Sequence, residues 1–332
     1  MHALVTGAGG FLGRYIVEGL VRRGDRVRCL VRRPTPELSA LGAELVPGDV
    51  RDAAVVLQAC RDREIVFHTA AVAGIWGPWQ HYYSINTVGT RNVVAACQRA
   101  GVPYLVYTSS PSVTFNGQDQ AGVDESEPYA SRWLCHYPHT KALAEQEVLS
   151  ANGSGGLRTC ALRPHLIWGP RDRHLIPRLI DRARRGRLIR VGDGRNRIDM
   201  IHVENAAAAH LRAAAALQER PEVGGRAYYL SQGEPVNCWG WINEILSLAG
   251  LPPVQRSISF RTARWLGALL EGLHTLFRLS SEPRMTRFLA AQLALSHYFD
   301  ISRARRELGY QATISTAEGM DQLAAWLAAG ER

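Results

Sequence analysis

The sequence predicts a doubly wound α/β fold, in which helices cover both faces of a parallel sheet and a smaller C-terminal substrate domain follows. Three observations predict it. A short apolar strand at residues 2–5 leads into a glycine-rich turn and a segment with helical spacing. Apolar strand segments then alternate with helical segments as far as residue 164. Polar residues follow the ends of these strands, where such sheets bind ligands.

The composition is that of an ordinary globular chain. Its 332 residues are 46% hydrophobic and 21% charged, which suits a sizeable core and argues against disorder. The 6 cysteines are scattered without a CxxC pair, so we expect reduced thiols in a cytoplasmic protein and no metal site. The N-terminus lacks the pattern of a signal peptide, and no run reaches the ~20 apolar residues of a membrane span.

The net charge of +9 suggests anionic partners. The arginine clusters are not interleaved with aromatic residues as in a nucleic-acid-binding module, so no nucleic-acid partner is expected.

The turn TGAGGFLG predicts a phosphate-binding site. Gly7, Gly10 and Gly13 stand between the first strand and the helical segment, with Phe11 and Leu12 among them. Glycine permits a positive φ, lets the backbone approach a pyrophosphate and lets the helix pack closely. Because a helix N-terminus attracts phosphate, these five residues are predicted to bind a dinucleotide.

The end of the second strand, at residues 27–31, selects the dinucleotide. An acid at this position binds the ribose 2′-hydroxyl of NAD(H), whereas an arginine accommodates the 2′-phosphate of NADP(H). The chain has Arg32 and Arg33 there and no acid. Arg32 is therefore predicted to contact the phosphate, assisted by Arg33 or Arg14, and NADP(H) is the expected cofactor.

The alternation continues along the chain. Further strands are predicted at 44–50, 64–71, 104–110 and 157–164, and helices at 52–61, 84–100 and 138–150. The predicted dinucleotide-binding domain comprises 1–165 and 199–232, and the predicted substrate domain comprises 166–198 and 233–332.

Lys141 is the only lysine among the 39 lysines and arginines of the chain. An ammonium is a compact charge whose pKa responds to its surroundings, whereas a guanidinium is planar and always charged. Tyr137 precedes it by four residues on the same helix face, and Ser110 ends the fifth strand. If the three converge, Ser110 can hydrogen-bond a carbonyl oxygen and Tyr137 can protonate the developing alkoxide. Lys141 can lower the pKa of Tyr137 and hold the cofactor ribose.

Seven motifs occur in the order and spacing of a known family. They are TGAGGFLG, GDVRD, HTAA, NTVGT, YTSS, YPHTK and LRP. With DISRARRELGY near the C-terminus, the chain resembles the extended short-chain dehydrogenases/reductases, which implies a Rossmann-type fold and the catalytic set Ser110, Tyr137 and Lys141.

The resemblance also implies roles for residues after the other strands. Asn86 is expected to bridge structural elements. The remaining expected cofactor contacts are Asp49 and Val50 beside the adenine, Ala70, Ala71 and Ala73 along its middle, and Pro164 beside the nicotinamide.

The later half of the chain predicts an apolar substrate. Family members that act on nucleotide sugars usually carry an arginine where this chain has Ile198, and Arg197 is one position away. Tryptophans suit an apolar pocket instead. Those expected in the pocket are Trp76, Trp79, Trp133 and Trp168.

Residues 262–279 predict an amphipathic helix, with Arg264, Glu271 and Arg278 at intervals of seven. Such a helix can cover a lipid-like substrate, rest on a membrane surface or pack into the core, and packing into the core is the expected case. Histidines 136 and 139, which flank the catalytic tyrosine, are expected to be solvated.

This C-terminal pattern and SSPSVTFNG resemble the 3β-hydroxysteroid dehydrogenase/isomerase branch, and most of all its bacterial members that reduce 2-alkyl-3-oxoalkanoates in long-chain olefin biosynthesis. The resemblance implies NADPH-dependent reduction of a long-chain β-keto acid. A sterol dehydrogenase/isomerase is the alternative, ahead of a nucleotide-sugar epimerase or dehydratase and a non-catalytic NADP sensor. The implied partners are a lipid-like carbonyl substrate, a second copy in a homodimer, and peripheral contact with a membrane or with other pathway enzymes.

Overall fold

The computed structural model describes residues 1–330. The strands are β1 (His2–Thr6), β2 (Arg26–Val31), β3 (Glu44–Pro47), β4 (Ile65–His68), β5 (Tyr104–Thr108), β6 (Gln120–Val123), β7 (Arg158–Pro164), β8 (Ile167–Trp168), β9 (Arg190–Val191), β10 (Arg197–Ile198), β11 (Ile201–His202), β12 (Arg226–Leu230), β13 (Val236–Asn237), β14 (Ser257–Ile258) and β15 (His297–Phe299).

The α-helices are α1 (Phe11–Arg22), α2 (Pro36–Ala40), α3 (Ala53–Cys60), α4 (Trp79–Tyr82), α5 (Gly89–Ala100), α6 (His136–Ser150), α7 (Leu175–Arg184), α8 (Val203–Glu219), α9 (Cys238–Leu248), α10 (Phe260–Leu276), α11 (Arg287–Ala294), α12 (Ser302–Leu308) and α13 (Thr316–Ala328). A π-helical segment, Tyr83–Val88, joins α4 to α5.

Seven strands form one parallel sheet in the order β12-β7-β5-β4-β1-β2-β3. The chain winds outward from β1 through β2 and β3, and then returns to pair β4 on the other side of β1. Ligands of such sheets bind at this reversal, beyond the carboxyl ends of the strands. The predicted doubly wound fold is confirmed.

Side-chain alternation along the strands builds a core on each face of the sheet. In β1, Val5 joins the cluster that α1 and α8 cover, and Leu4 joins the cluster that α3, α5 and α6 cover. In β4, Phe67 likewise joins the first cluster and Val66 joins the second. The strands are therefore apolar on both faces, as a buried parallel sheet requires.

The predicted helix at 84–100 begins as a π-helical segment. The Thr90 hydroxyl donates a 2.6 Å hydrogen bond to the carbonyl oxygen of Asn86 in this segment. Single π-helical turns are common at functional sites. Here the turn places Asn86 next to the helix that carries Tyr137.

A second layer packs beyond the sheet. Strands β13, β10, β15 and β6 form a mixed sheet, and β6 reaches it from the first half of the chain. Helices α7, α9 and α13 enclose a separate apolar cluster, while α10 and α11 pack against each other. Between residues 1 and 330, no helix is both long and apolar enough to cross a bilayer.

Candidate active site

The turn between β1 and α1 leaves the first backbone N–H groups of the helix without a side-chain cap. Gly10 is the N-cap residue, and no side chain bonds to the first turn. Gly7 has φ +71°, and a Cβ on it would lie 2.7 Å from the Ala70 nitrogen. A Cβ on Gly13 would lie 2.3 Å from the Gly7 carbonyl oxygen. Only glycine fits these two positions, and the open N-terminus fits the pyrophosphate of a dinucleotide.

The loop after β2 borders this turn. A Cβ on Gly9 would lie 3.4 Å from the Thr35 hydroxyl oxygen, so the loop and the glycine turn are in contact. Arg32 and Arg33 open the loop, and both are exposed. The two arginines therefore belong to the loop that contacts the glycine turn.

The residues after β3 add an arginine that sequence reasoning missed. The Arg51 guanidinium donates to both carboxylate oxygens of Asp49, at 3.0 and 2.9 Å. This pair, with a smaller contribution from Arg32, lowers the pKa of Asp49. Arg51 and Arg32 therefore flank the same carboxylate. The signal was the arginine two positions after the aspartate in GDVRD. Val50, which lies between Asp49 and Arg51 in the sequence, is buried against α5.

The segment after β4 passes beside the glycine turn. The Ala70 N–H donates to the Thr6 hydroxyl at 3.3 Å, and Ala71 and Ala73 are exposed. An exposed run of small residues leaves room along the path predicted for the middle of the cofactor. Pro164, predicted at its nicotinamide end, is the buried last residue of β7.

Asn86 holds this segment in place. Its side chain accepts from the Val72 N–H at 2.8 Å and donates to the Val72 carbonyl at 3.1 Å. It also donates to the Thr140 hydroxyl at 3.1 Å, one turn from the tyrosine on α6. The amide thus ties the loop after β4 to the helix of Tyr137 and Lys141.

Ser110 and Tyr137 lie together. Ser110 is the N-cap of a short 3-10 helix, Pro111–Thr114, and its hydroxyl lies 2.8 Å from that of Ser112. The Ser110 side chain also lies close enough to the Tyr137 phenol to lower its pKa. The carboxyl end of β5 and the first turn of α6 thereby bring the two hydroxyl groups near each other.

The predicted direction of the Tyr137 pKa shift is wrong. A nearby ammonium was expected to lower it, but burial raises the pKa of Tyr137 to about 12 and outweighs the opposing effect of Ser110. Burial is the physical reason, and the Lys141 ammonium donates instead to the Thr108 carbonyl oxygen of β5. At neutral pH the phenol therefore keeps its proton.

Lys141 is buried, with 2% of its surface exposed. Its Nζ donates to the Thr108 carbonyl oxygen at 2.6 Å and lies 4.1 Å from the centre of the Tyr107 ring. Burial lowers the pKa of Lys141 to about 7, and the negative charge of Glu145 opposes that shift. The pKa of the lone lysine is thus close to neutral pH, and its side chain lies one helical turn from Tyr137.

A buried ion pair behind Lys141 was not predicted. Glu145, fully buried, accepts from the Arg163 guanidinium at 2.5 Å and from the Tyr129 hydroxyl at 2.7 Å. Arg163 immediately precedes Pro164 on β7. The pair therefore joins the catalytic helix to the strand predicted to lie beside the nicotinamide. Its signal was an acid four residues after Lys141, on the same helix face.

A buried histidine at the end of β4 connects β1 to α5 by hydrogen bonds. His68 is buried, and burial lowers its pKa to about 3, so the ring is neutral. Because the Thr90 hydroxyl donates to Asn86, the His68 Nε2–H donates to Thr90, at 2.9 Å. The other ring nitrogen accepts from the Thr6 hydroxyl, at 2.6 Å. This series of hydrogen bonds links the end of β1, just before the glycine turn, to the π-helical segment.

The tryptophans expected in the pocket divide into two groups. Trp168 is fully buried and packs edge-on against Trp241, 5.8 Å between ring centres, so its predicted place in a substrate pocket is wrong. Trp79 and Trp133 are half-buried on either side of His139, with ring centres 4.9 and 5.1 Å away. His139 is therefore part of an aromatic cluster and not simply solvated, because α4 and the segment before α6 close over it.

A comparison with protein families decides the group to which this site belongs. The family model described as 3-beta hydroxysteroid dehydrogenase/isomerase matches residues 4–260. The chain belongs to this family. The match covers the glycine turn, the strand ends and the Ser110–Tyr137–Lys141 set, and the resemblance predicted from the motifs is confirmed.

Curated relatives in the 3-beta hydroxysteroid dehydrogenase/isomerase family match almost the whole chain. A 2-alkyl-3-oxoalkanoate reductase of Shewanella oneidensis is 47% identical over 98% of this chain and 86% of its own length. One of Stenotrophomonas maltophilia is 46% identical over 99% of this chain and 100% of its own. A 3 beta-hydroxysteroid dehydrogenase/Delta 5-->4-isomerase of Mycobacterium tuberculosis is 35% identical, over 97% and 89%. These names confirm the predicted oxidoreductase class.

Solved structures share the fold over the full length. The crystal structure of gox2253 has a TM-score of 0.79 at 29% identity and covers 99% of this chain and 98% of its own. MoeE5 in complex with UDP-glucose and NAD has a TM-score of 0.76 at 26% identity and covers 100% of both chains. Together with the family, these likenesses confirm the class of cofactor, NAD(H) or NADP(H).

Proposed function

We propose that the protein is an NADPH-dependent reductase that converts the ketone of a long-chain 2-alkyl-3-oxoalkanoate to the 2-alkyl-3-hydroxyalkanoate. The observation that carries the proposal is the placement of Ser110 at the end of β5, near Tyr137 in the first turn of α6 and Lys141 one turn further on, at the edge of the sheet where the glycine turn opens. Two relatives, 47% and 46% identical, bear the name of this activity.

The proposed site residues divide the work of carbonyl reduction. The bound cofactor supplies a hydride to the carbonyl carbon. Ser110 donates a hydrogen bond to the carbonyl oxygen, and Tyr137 gives that oxygen its proton as negative charge develops. Burial raises the pKa of Tyr137 to about 12, which keeps the phenol protonated before each reduction. Lys141 then stabilises the phenolate and binds the ribose hydroxyls. Because burial lowers the pKa of Lys141 to about 7, its ammonium can also pass a proton back to Tyr137.

The proposed substrate end favours an apolar molecule over a nucleotide sugar. Ile198, where an arginine would serve a diphosphate, is buried in the second layer. The Arg197 side chain donates to the Pro235 carbonyl oxygen at 2.9 Å and does not replace that arginine. We assign 1–165 and 199–232 to cofactor binding and 166–198 and 233–332 to substrate binding.

A substrate panel tests the proposal. The purified protein and NADPH would be mixed with 2-alkyl-3-oxoalkanoates of increasing chain length, ketosteroids and UDP- or GDP-sugars, and the loss of NADPH absorbance followed. We expect turnover of the keto acids, with kcat/KM rising with chain length. Turnover confined to ketosteroids would favour the sterol dehydrogenase instead, which the family and the 35%-identical relative support. Tight calorimetric binding of a nucleotide sugar without response to keto acids would overturn both.

The Arg32→Asp variant is expected to shift cofactor preference toward NADH. The change removes a partner of the 2′-phosphate and supplies an acceptor for the ribose 2′-hydroxyl. The measurement is the ratio of kcat/KM with NADPH to that with NADH, which we expect to fall by about 10-fold or more, since a charged hydrogen bond contributes roughly 1.5–3 kcal/mol.

Two matched variants locate the effect. Arg33→Asp changes the same charge one position along the loop, and Arg51→Asp tests the guanidinium that holds Asp49. We expect the larger change for Arg32. An unaltered ratio in Arg32→Asp, with a large change in Arg51→Asp, would transfer the role to Arg51.

A further inference from the structure

The large apolar side chains that stand exposed among residues 1–330 all lie in one short segment. Trp265 is 66% exposed, Leu276 is 74% and Phe277 is 65%. The set is Trp265, Leu269, Leu273, Leu276, Phe277 and Leu279. Isolated exposed apolar residues are ordinary, but a contiguous group of this kind marks an interaction site.

The fold holds this group outward. On α10, the residues at 265, 269, 273 and 276 fall within an arc of about 80°, at 3.6 residues per turn. The opposite face, with Ala263, Gly267 and Glu271, is buried against α11. A Cβ on Gly267 would lie 2.6 Å from the Thr286 carbonyl carbon. Glu271 accepts from the Arg287 N–H and guanidinium, at 2.7 and 2.6 Å. The prediction that α10 packs into the core is therefore correct for one face and wrong for the other.

Uncompensated positive charge surrounds the apolar stripe. Arg261, Arg264, Arg278 and Arg284 are exposed and form no salt bridge within the described part of the chain. The neighbouring acids are already occupied. Glu271 pairs with Arg287, and Glu282 pairs with two arginines of α7. The surface thus offers an apolar ridge with a rim of free guanidinium groups.

We propose that this surface, α10 and the turn to Leu279, docks on an anionic lipid bilayer. A helix that lies in the interface buries its apolar face among the acyl chains, while cationic side chains contact the headgroups. A second copy of the chain fits less well, because a two-fold interface on this surface would bring like-charged arginine rims together. The axis of α10 therefore lies parallel to the membrane surface, with the apolar stripe buried at the boundary between headgroups and acyl chains.

The docking surface adjoins the candidate active site. The Trp76 ring contacts that of His274 on α10, 5.8 Å between centres. Phe260 and Phe288, at the starts of α10 and α11, share an apolar cluster with Ile75 and with Cys135, two residues before Tyr137. A substrate dissolved in the bilayer would meet the site from this side. This last step rests on the proposed function, whereas bilayer docking does not.

Vesicle flotation of the full chain tests the docking. The vesicles would contain either phosphatidylcholine alone or equal parts of phosphatidylcholine and phosphatidylglycerol. We expect the wild type to float with the anionic vesicles and to dissociate as salt rises. The pair of changes Leu276→Ser and Phe277→Ser should weaken binding by about 10-fold or more, because two large apolar side chains lose their burial. Arg264→Glu should also weaken it, and Arg99→Glu, the same change at an exposed site on α5, should not.

The other outcomes are distinct. All these residues are exposed, so the variants should have the wild-type melting temperature. If the melting temperature of the serine double variant is lower, the flotation experiment is repeated with Leu276→Gln alone. The proposal is overturned if the wild type does not float with anionic vesicles, or if the serine double variant floats as well as the wild type. A wild type that sediments as a dimer, without floating, and becomes a monomer in the double variant assigns the surface to a second copy. Turnover of a short, water-soluble keto acid without vesicles tests the proposed function separately.

Discussion

The Tyr137→Phe variant is expected to lose about 10³-fold in kcat for ketone reduction, since positioned acid–base groups contribute roughly 10²–10⁴-fold. The change deletes one hydroxyl and leaves the ring. Burial raises the pKa of that hydroxyl to about 12, so it holds the proton at neutral pH. Without it, the developing alkoxide must take its proton from water.

NADPH affinity and melting temperature should change little in this variant, because the ring still packs at the start of α6. Tyr104→Phe is the matched control: Tyr104 begins β5, at the opposite end of the strand from Ser110. Steady-state kinetics of both variants on the best keto acid would decide the case. A Tyr137→Phe enzyme with kcat within 10-fold of the wild type would show that another group supplies the proton.

The Lys141→Arg variant is expected to lose about 10²-fold in kcat although it preserves the charge, since a small misplacement at a reacting centre costs this much. The Lys141 ammonium fits between the Thr108 carbonyl oxygen, 2.6 Å away, and the Tyr107 ring, 4.1 Å from its centre. A guanidinium is larger and planar, so it must displace the ring, the strand end or Tyr137.

Lys141→Met separates the catalytic role from a structural one. Burial lowers the pKa of Lys141 to about 7, below its value in the unfolded chain. Between those two values the unfolded state binds the extra proton, so this group destabilises the fold at neutral pH and does so less as pH rises. A methionine removes that cost, and we expect an unchanged or higher melting temperature with almost no activity. A Lys141→Arg enzyme within a few-fold of the wild type would show that the lone lysine has no special role.

Local spacing explains why the glycine turn and the tyrosine–lysine pair could be predicted. Gly7 and Gly13 lie within one turn and the start of one helix, where steric limits act between near neighbours in the chain. Tyr137 and Lys141 share a face because an α-helix has 3.6 residues per turn. Neither inference needs any knowledge of what packs against these residues.

The charges around the site could not be predicted in this way. Arg163, on β7, reaches Glu145 on α6, 18 residues earlier in the chain. The pKa of Tyr137 moved opposite to the prediction because burial raises it. Burial is a property of the whole fold, and a sequence motif specifies only which groups are present.

By itself, the sequence determined the alternation of the main strands and helices as far as residue 164, the predicted dinucleotide turn and the identity of the three groups expected at the carbonyl, because periodicity and steric limits act over a few residues. Only the tertiary structure decided what each face meets. It buried Trp168 in the second layer, set Lys141 against the Thr108 carbonyl, and turned the Trp265–Leu276 stripe of α10 outward while Glu271 faced α11. An amphipathic pattern states that a helix has two faces, and only packing against the rest of the chain selects the one that is covered.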